Sequence, residues 1–236
     1  MSGTGSSRAL SDVFLKWGRR RGPEQSVAPA PSLADDEQIV PTKAFKKFLS
    51  CLSGRTSRVI LDLGPVVGAN VSFFGEELGC KILVEDLYAE LERAHREDRV
   101  AGFAELMAKR FRQGDGSIDG ILVWDFLDYL DRPAAQVLCK ELTRLLAPGG
   151  AVLGFFATIE NPAEAFTRFT IVDDQSLRTR SYLSRCRRQR VLANRDIARL
   201  FEGLTVAESF LLLNKTREML FRKPSASRSE PARQSG

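Results

Sequence analysis

The stretch RVILDLGPVVGANVSFFGEELGCKILVED, residues 58–86, decides how this chain reads. An apolar run at 59–63 has the composition of a strand, and a turn bounded by Gly64 and Gly68 follows it. The next segment predicts a helix over 71–78 that stops at Gly79, a usual C-terminal stop. A second apolar run, KILV, ends in Glu85 and Asp86. Strand, glycine turn, helix, strand and acid make the layout of a nucleotide-type cofactor site. Such a turn leaves backbone N–H groups free beside a helix start, and an acid about 20 residues on accepts hydrogen bonds from ribose hydroxyls. Val66 stands where a third glycine is expected, and Pro65 removes one N–H from the loop.

Beyond Asp86 a charged helical stretch, LYAELERAHREDRVAGFAELMAKRF, leads through the turn GDG to a strand, IDGILVWDFL. No strand is read between Asp86 and Ile118, because AELMAKRFRQ has helical character. The helix PAAQVLCKELTRLLA starts on Pro133 and stops at APGG, and the strand AVLGFFAT follows directly. Alternating strands and helices predict a parallel sheet covered on both faces. The end of the chain differs. FTIVDDQSLRTRSYL reads as a hairpin or extended excursion around Asp173 and Asp174. NRDIARLFEGL reads as a helix capped by Asn194 and ending at Gly203. The runs TVAESFLLL and TREMLFRK are separated by Asn214 and Lys215, a link so short that only an antiparallel pair fits.

Upstream, residues 1–38 are rich in Ser, Gly, Pro and Ala and read as a disordered tail, with SVAPAPSLADDE as a linker. Within the tail, SDVFLKWGRRRG reads either as plain disorder or as a short basic amphipathic helix. The domain spans 39–223 and opens with the helical segment PTKAFKKFLSCL, capped by Thr42, with Phe45, Phe48, Leu49 and Leu52 as its apolar residues. Residues 224–236 read as a second disordered tail.

Composition narrows the class. With 236 residues, 43% of them hydrophobic, the chain can bury a full core as one α/β domain plus tails. No apolar run approaches the ~18 residues that span a membrane, and the first residues lack the pattern of a signal peptide. Cys51, Cys80, Cys139 and Cys186 are far apart and read as single thiols, which implies a reducing, cytoplasmic setting. The one histidine, His95, lies in a charged helical stretch and is expected to be solvated; zinc sites and histidine-based triads are thereby set aside, and no metal is expected. The net charge of +5 is local. Nine arginines face three acids between Arg168 and Arg199, which leaves the rest of the chain close to neutral.

A parallel α/β sheet that finishes in an antiparallel hairpin resembles the class I S-adenosylmethionine-dependent methyltransferases, a Rossmann-like fold with a seven-strand-type, mostly parallel sheet. Four segments over roughly 45–223 carry the resemblance. VILDLGPVVGANVSFF is similar to the family's first motif, with Asp62, Gly64 and Gly68 in place. The VED at 84–86 resembles the acidic end of strand two, IDGILVWDFLDYL the family's FDLVxxxDVLEHL segment with Asp125 aligned to its first acid at the end of strand four, and LTRLLAPGGAVLGFF the turn before strand five. The resemblance implies S-adenosylmethionine as cofactor. Asp62, Gly64 and Gly68 would shape the methionine end of its pocket, and Asp86, or Glu85 by one residue, would hold the ribose. Strand alternation allows only one of those two acids to face the ligand. Asp125, with Phe126 and Asp128, would lie at the edge where cofactor and methyl acceptor meet; as a turn cap, Asp125 would do neither. Trp124 and Tyr129 would face an organic substrate or fill the core. Asp125 and Asp128 are the candidates for a base, should the acceptor have to lose a proton.

Arg178, Arg180, Arg185, Arg187, Arg188 and Arg190 fall between strand five and the last helix, in an insertion that often lies over the acceptor in this family. They read as a nucleic-acid or anion contact, or as a solvated surface with local ion pairs to Asp173 and Asp174. Three functions stay open: methyl transfer to a small-molecule acceptor, a non-catalytic binding or regulatory relative, and an RNA-associated methyltransferase. The oligomeric state is not legible.

Overall fold

The computed structural model describes residues 37–52, 57–161, 163–189 and 191–225; the readings placed on 1–36, on 226–236 and on Arg190 lie outside the described residues. The chain enters with strand β1 (Gln38–Pro41) and helix α1 (Phe45–Leu52), then β2 (Val59–Asp62), α2 (Gly68–Ser72), a π-helical turn (Phe73–Glu77) and β3 (Lys81–Val84). Helices α3 (Leu87–Arg96) and α4 (Phe103–Arg110) precede β4 (Ile118–Trp124), and a 3₁₀ turn (Phe126–Tyr129) and α5 (Arg132–Leu145) precede β5 (Leu146–Ala157). The hairpin β6 (Ala165–Ile171) and β7 (Ser176–Leu183), then α6 (Asn194–Leu200), β8 (Thr205–Leu211) and β9 (Thr216–Arg222), complete the chain.

Six strands form the main sheet in the order β3-β2-β4-β5-β9-β8. The pairs β2–β3, β2–β4 and β4–β5 are parallel, whereas β5–β9 and β8–β9 are antiparallel, as the short link at Asn214 and Lys215 requires. The strand that would make seven is the one after β3. Its place in the sequence is taken by α4, whose Phe103 and Met107 are buried against the sheet's helical layer.

Aliphatic and aromatic side chains alternate to both faces of the sheet, and two core layers result. On one face α3, α4, α5 and α6 cover Leu61, Ile121, Val123 and Val152. On the other, α1 and the segment of Phe73 and Phe74 pack on Ile60, Leu122 and Leu153. Helix α1 approaches so closely that a Cβ on Gly120 would meet Phe48, Ile60 and Leu52 at 2.8–2.9 Å. The same face carries a second sheet, ordered β1-β7-β6. The β6–β7 hairpin is the excursion read around Asp173 and Asp174. Strand β1 was legible only afterwards, since four residues without alternation carry no strand signal of their own.

Several boundaries depart from the sequence reading. The helix expected over 71–78 begins at Gly68 and widens into the π-helical turn at Phe73 before Gly79 ends it with φ +62°. Asn194 is the first residue of α6 and Ala193 precedes it as the cap, without a side-chain bond. Strand β4 stops at Trp124 instead of running into Phe126 and Leu127. His95 is half-buried instead of solvated. The cysteines are free thiols, three of them buried, as expected. Thr42 does accept from the Phe45 amide at 3.2 Å, and it is itself held by the fully buried Glu218 of β9, whose other oxygen accepts the Lys43 amide at 2.8 Å. Among the described residues no helix is long and apolar enough to cross a membrane.

Candidate functional site

The crossovers leave β2 toward β3 on one side and β4 on the other, so the sheet reverses its winding between β2 and β4. Ligands of open α/β sheets bind outside the carboxyl ends of the strands at such a point. The ends of β2, β3 and β4 carry Asp62, Asp86 and Asp125 there, and Asp128 follows one turn later.

Asp62 is buried, and its Oδ1 accepts the Gly64 amide at 2.9 Å and the Trp124 indole Nε1 at 2.6 Å. Burial pushes its carboxyl up to about 6, against these two hydrogen bonds, which lower it. The indole reaches Asp62 through an irregular backbone. The β4–β5 register shifts between Leu122 and Trp124, and Trp124 has φ +53°, a left-handed conformation that a bulky residue rarely adopts. The ring is thereby turned onto the glycine turn: a Cβ on Gly64 would lie 2.8 Å from Trp124 Cδ1. Phe169 of β6 stacks on the indole at 5.1 Å and Phe155 of β5 at 6.2 Å. Asn70, directly after the turn, fixes β6 above them by donating to the Phe169 carbonyl at 3.1 Å and accepting from the Ile171 amide at 2.8 Å.

The other turn residues behave differently. The Val66 side chain is 67% exposed, so the branched residue at the degenerate position does not enter the crevice. Gly68 opens α2 in open space, with no atom within 4 Å of a Cβ built on it.

Beyond the end of β3 the two acids diverge, Glu85 in the link and Asp86 at the start of α3. Glu85 turns to Arg110 of α4 in an ion pair of 2.7 Å. Asp86 caps α3, its Oδ1 accepting the Ala89 amide at 2.9 Å. Burial raises the Asp86 carboxyl, partly offset by that hydrogen bond and by Arg168 of β6, and the Glu85 amide donates to the Asp62 carbonyl at 2.8 Å, so the ends of β3 and β2 lie side by side.

Asp125 does not cap the turn that follows it. Its Oδ1 accepts from the Tyr88 hydroxyl, and its Oδ2 accepts from Arg188 Nη2 at 2.7 Å, with the Tyr129 hydroxyl 3.5 Å away. Asp128 Oδ2 accepts the Ala157 amide at 2.7 Å and lies 3.9 Å from Arg188 Nε. Burial pushes the Asp128 carboxyl up to about 7, and the neighbouring Asp125 adds to the rise while Arg188 opposes it. Burial likewise raises the Tyr88 and Tyr129 hydroxyls above their ordinary range, with Asp125 as the second cause.

The structure thus gathers Asp62 with Asp86, and Asp125 with Asp128, and it separates Glu85 from both. Asn70 and Tyr88 were missed by the sequence reading, and Arg188, read there with its neighbours as an anion or nucleic-acid contact or a solvated surface, pairs instead with the buried Asp125. Arg188 is one of six arginines in a row of similar context, and nothing local marks it as the one that turns inward. Asp174 pairs with Lys46 at 3.4 Å rather than with an arginine, and Asp173 accepts the Gln175 amide within its own turn. Arg178 finds Glu37 at 3.2 Å.

No protein-family model matches the chain, and no curated protein does. Among solved structures it is similar to an S-adenosylmethionine-dependent methyltransferase from Clostridium acetobutylicum, with 14% identity, 77% of this chain and 91% of that one covered, and a TM-score of 0.49. It is also similar to the CcbJ methyltransferase from Streptomyces caelestis, with 14% identity, coverages of 79% and 91%, and a TM-score of 0.45. The 1,6-didemethyltoxoflavin-N1-methyltransferase from Burkholderia thailandensis is 17% identical, with coverages of 84% and 100% and a TM-score of 0.41. By its sheet order, its closing antiparallel hairpin and the glycine turn at its switch point, the chain has the fold of the class I S-adenosylmethionine-dependent methyltransferases.

Proposed function

We propose that the chain uses S-adenosylmethionine to methylate a small-molecule acceptor, with both held at the carboxyl edge of β2, β3 and β4. The observation that carries the reading is the convergence of Asp62, Asp86, Asp125 and Asp128 on that edge from three successive strands. Methyl transfer from a sulfonium is an in-line displacement with a good leaving group, so a protein contributes mainly alignment and exclusion of water. The residues here suit those tasks. Asp86 offers a carboxylate at the ribose end, one oxygen of which is engaged in capping α3. Phe169 and Ile171 of the small sheet are buried in the same apolar cluster as Trp124, which would keep water from that side. Asp128, with a carboxyl near neutrality, can take up a proton released by an acceptor nitrogen or oxygen.

The fit is uneven. The ribose end is compatible with the cofactor, but the space beside Gly64 that its methionine end requires is taken by the Trp124 indole. Binding therefore requires the indole to leave Gly64. This feature favours a second reading, a methyltransferase-fold protein without catalysis, in which the Trp124–Asp62 bond replaces the cofactor. The arginine segment lends less to an RNA-associated function: Arg178 and Arg188 are engaged by acids of the chain itself.

Calorimetric titration of the full chain with S-adenosylmethionine separates the two. Saturable binding with one site is expected under the first reading, and absence of binding by the folded chain overturns it in favour of the second.

A further inference from the structure

Arg188 belongs to a segment without helix or strand, 184–189, yet it enters the most enclosed acidic group of the crevice. Its guanidinium lies 5.8 Å from the centre of the Tyr129 ring, 2.7 Å from Asp125 and 3.9 Å from Asp128, whose side chains are 2% and 1% exposed. Tyr88 holds Asp125 in place through its hydroxyl. Two carboxylates and an aromatic face form the environment that a planar, weakly hydrated cation prefers.

The resident side chain fits that environment incompletely. A guanidinium has five N–H donors in a fork suited to carboxylates, and carboxylate pairs are strongest when two parallel bonds form. Arg188 makes a single hydrogen bond to Asp125, its Nε is buried without a hydrogen-bond partner, and Asp128 Oδ1 is likewise buried and without one. Buried polar groups left without a partner lose their hydration and gain no bond in return. The backbone around Arg188 is fixed independently: Glu92 of α3 accepts from Ser184 Oγ at 2.5 Å and the Arg185 amide at 3.0 Å, and the Asp128 carbonyl accepts from the Gln189 amide at 2.7 Å. Only the Arg188 side chain, not its segment, has to move for the group to open.

We propose that the group formed by Asp125, Asp128, Tyr88 and Tyr129 binds the guanidinium of a small acceptor molecule, and that Arg188 occupies it as an internal stand-in. A free guanidinium, unconstrained by a backbone on one side, reaches both carboxylates at once and satisfies Asp128 Oδ1. The inference rests on reading this edge as the acceptor site and names the acceptor's class.

The test uses the full chain without cofactor, so its outcome is independent of S-adenosylmethionine binding. Methylguanidinium is titrated calorimetrically into the wild type, Arg188→Ala and Arg188→Ala/Asp125→Asn, with methylammonium and neutral methylurea as controls. Arg188→Ala is expected to bind methylguanidinium at least tenfold more tightly than the wild type and at least tenfold more tightly than either control. The double variant is expected to lose that binding. Arg188→Gln, which keeps a donor near Asp125, serves if circular dichroism shows that Arg188→Ala does not fold. Equal affinity in all three proteins, equal affinity for methylurea or methylammonium, or no binding by a folded Arg188 variant overturns the proposal.

Discussion

The indole N–H of Trp124 at the end of β4 and the amide of Gly64 after β2 converge on one oxygen, Asp62 Oδ1, at 2.6 and 2.9 Å. This three-way contact ties the two strands that flank the switch point and sets the ring against the glycine. Gly64 is thus required by the tryptophan in this arrangement, with or without a ligand. Gly64→Ala is expected to cost ~1–3 kcal/mol in urea unfolding, the usual range for overpacking. The same substitution in a Trp124→Ala background is expected to cost at least 1 kcal/mol less, because the clash is removed. Strictly additive costs in this double-mutant cycle would refute the contact.

The same contact decides which substitution helps the cofactor. Trp124→Phe keeps an aromatic ring beside Phe155 and Phe169 but removes the donor to Asp62, at a cost of ~1–3 kcal/mol for the lost buried hydrogen bond. S-adenosylmethionine is expected to bind this variant at least fivefold more tightly than the wild type. Val66→Gly, which restores the glycine of the family motif, is expected to leave affinity within about twofold, since Val66 faces solvent. If titration shows the reverse order, the obstruction lies in the loop and not in the tryptophan.

Asp86 has a structural duty that must be separated from a ligand contact. Its side chain caps α3, and replacing a capping acid by Ala costs ~0.5–2 kcal/mol, whereas Ser keeps the cap. Asp86→Ser is therefore expected to unfold near the wild-type midpoint and yet bind S-adenosylmethionine at least tenfold more weakly. Unchanged affinity in Asp86→Ser would reduce Asp86 to a cap.

The order of elements was legible because each obeys a local rule. Gly79 and Gly203 end their segments with positive φ, Pro133 lies in the first turn of α5, which begins one residue earlier at Arg132, and two residues between β-runs force a hairpin. The missing outer strand was legible too, from the helical character of the residues that became α4. The site was legible only as positions. Asp62, Asp86, Asp125 and Asp128 lie at strand ends that the pattern locates, but their partners come from far along the chain: Trp124 is 62 residues from Asp62, and Arg188 is 63 from Asp125. Such partners depend on a bulge and on an irregular segment, neither of which has a periodic signal. Val66 drew attention as a sequence anomaly and faces solvent, while Trp124, an ordinary strand aromatic by pattern, lies against Gly64 and bonds Asp62.

The buried acids also fix how stability should depend on pH. Burial moves the Asp128 carboxyl from its ordinary value of 3.8 up to about 7, and that of Asp62 up to about 6. Between these limits the folded chain keeps protons that the unfolded chain has released, so unfolding free energy falls as pH rises. The loss begins near pH 4 and is complete just above pH 7. Asp128→Asn carries a neutral amide throughout and can still accept from the Ala157 amide. It is expected to flatten the decline between pH 5 and 7.5 in urea unfolding and to equal or exceed the wild type in stability at pH 8. Asp62→Asn should affect mainly the lower half of that window. A wild-type stability that rises from pH 5 to 7.5, or an Asp128→Asn slope identical to the wild type's, would show that Asp128 is ionised in the folded chain and fully neutralised by Arg188.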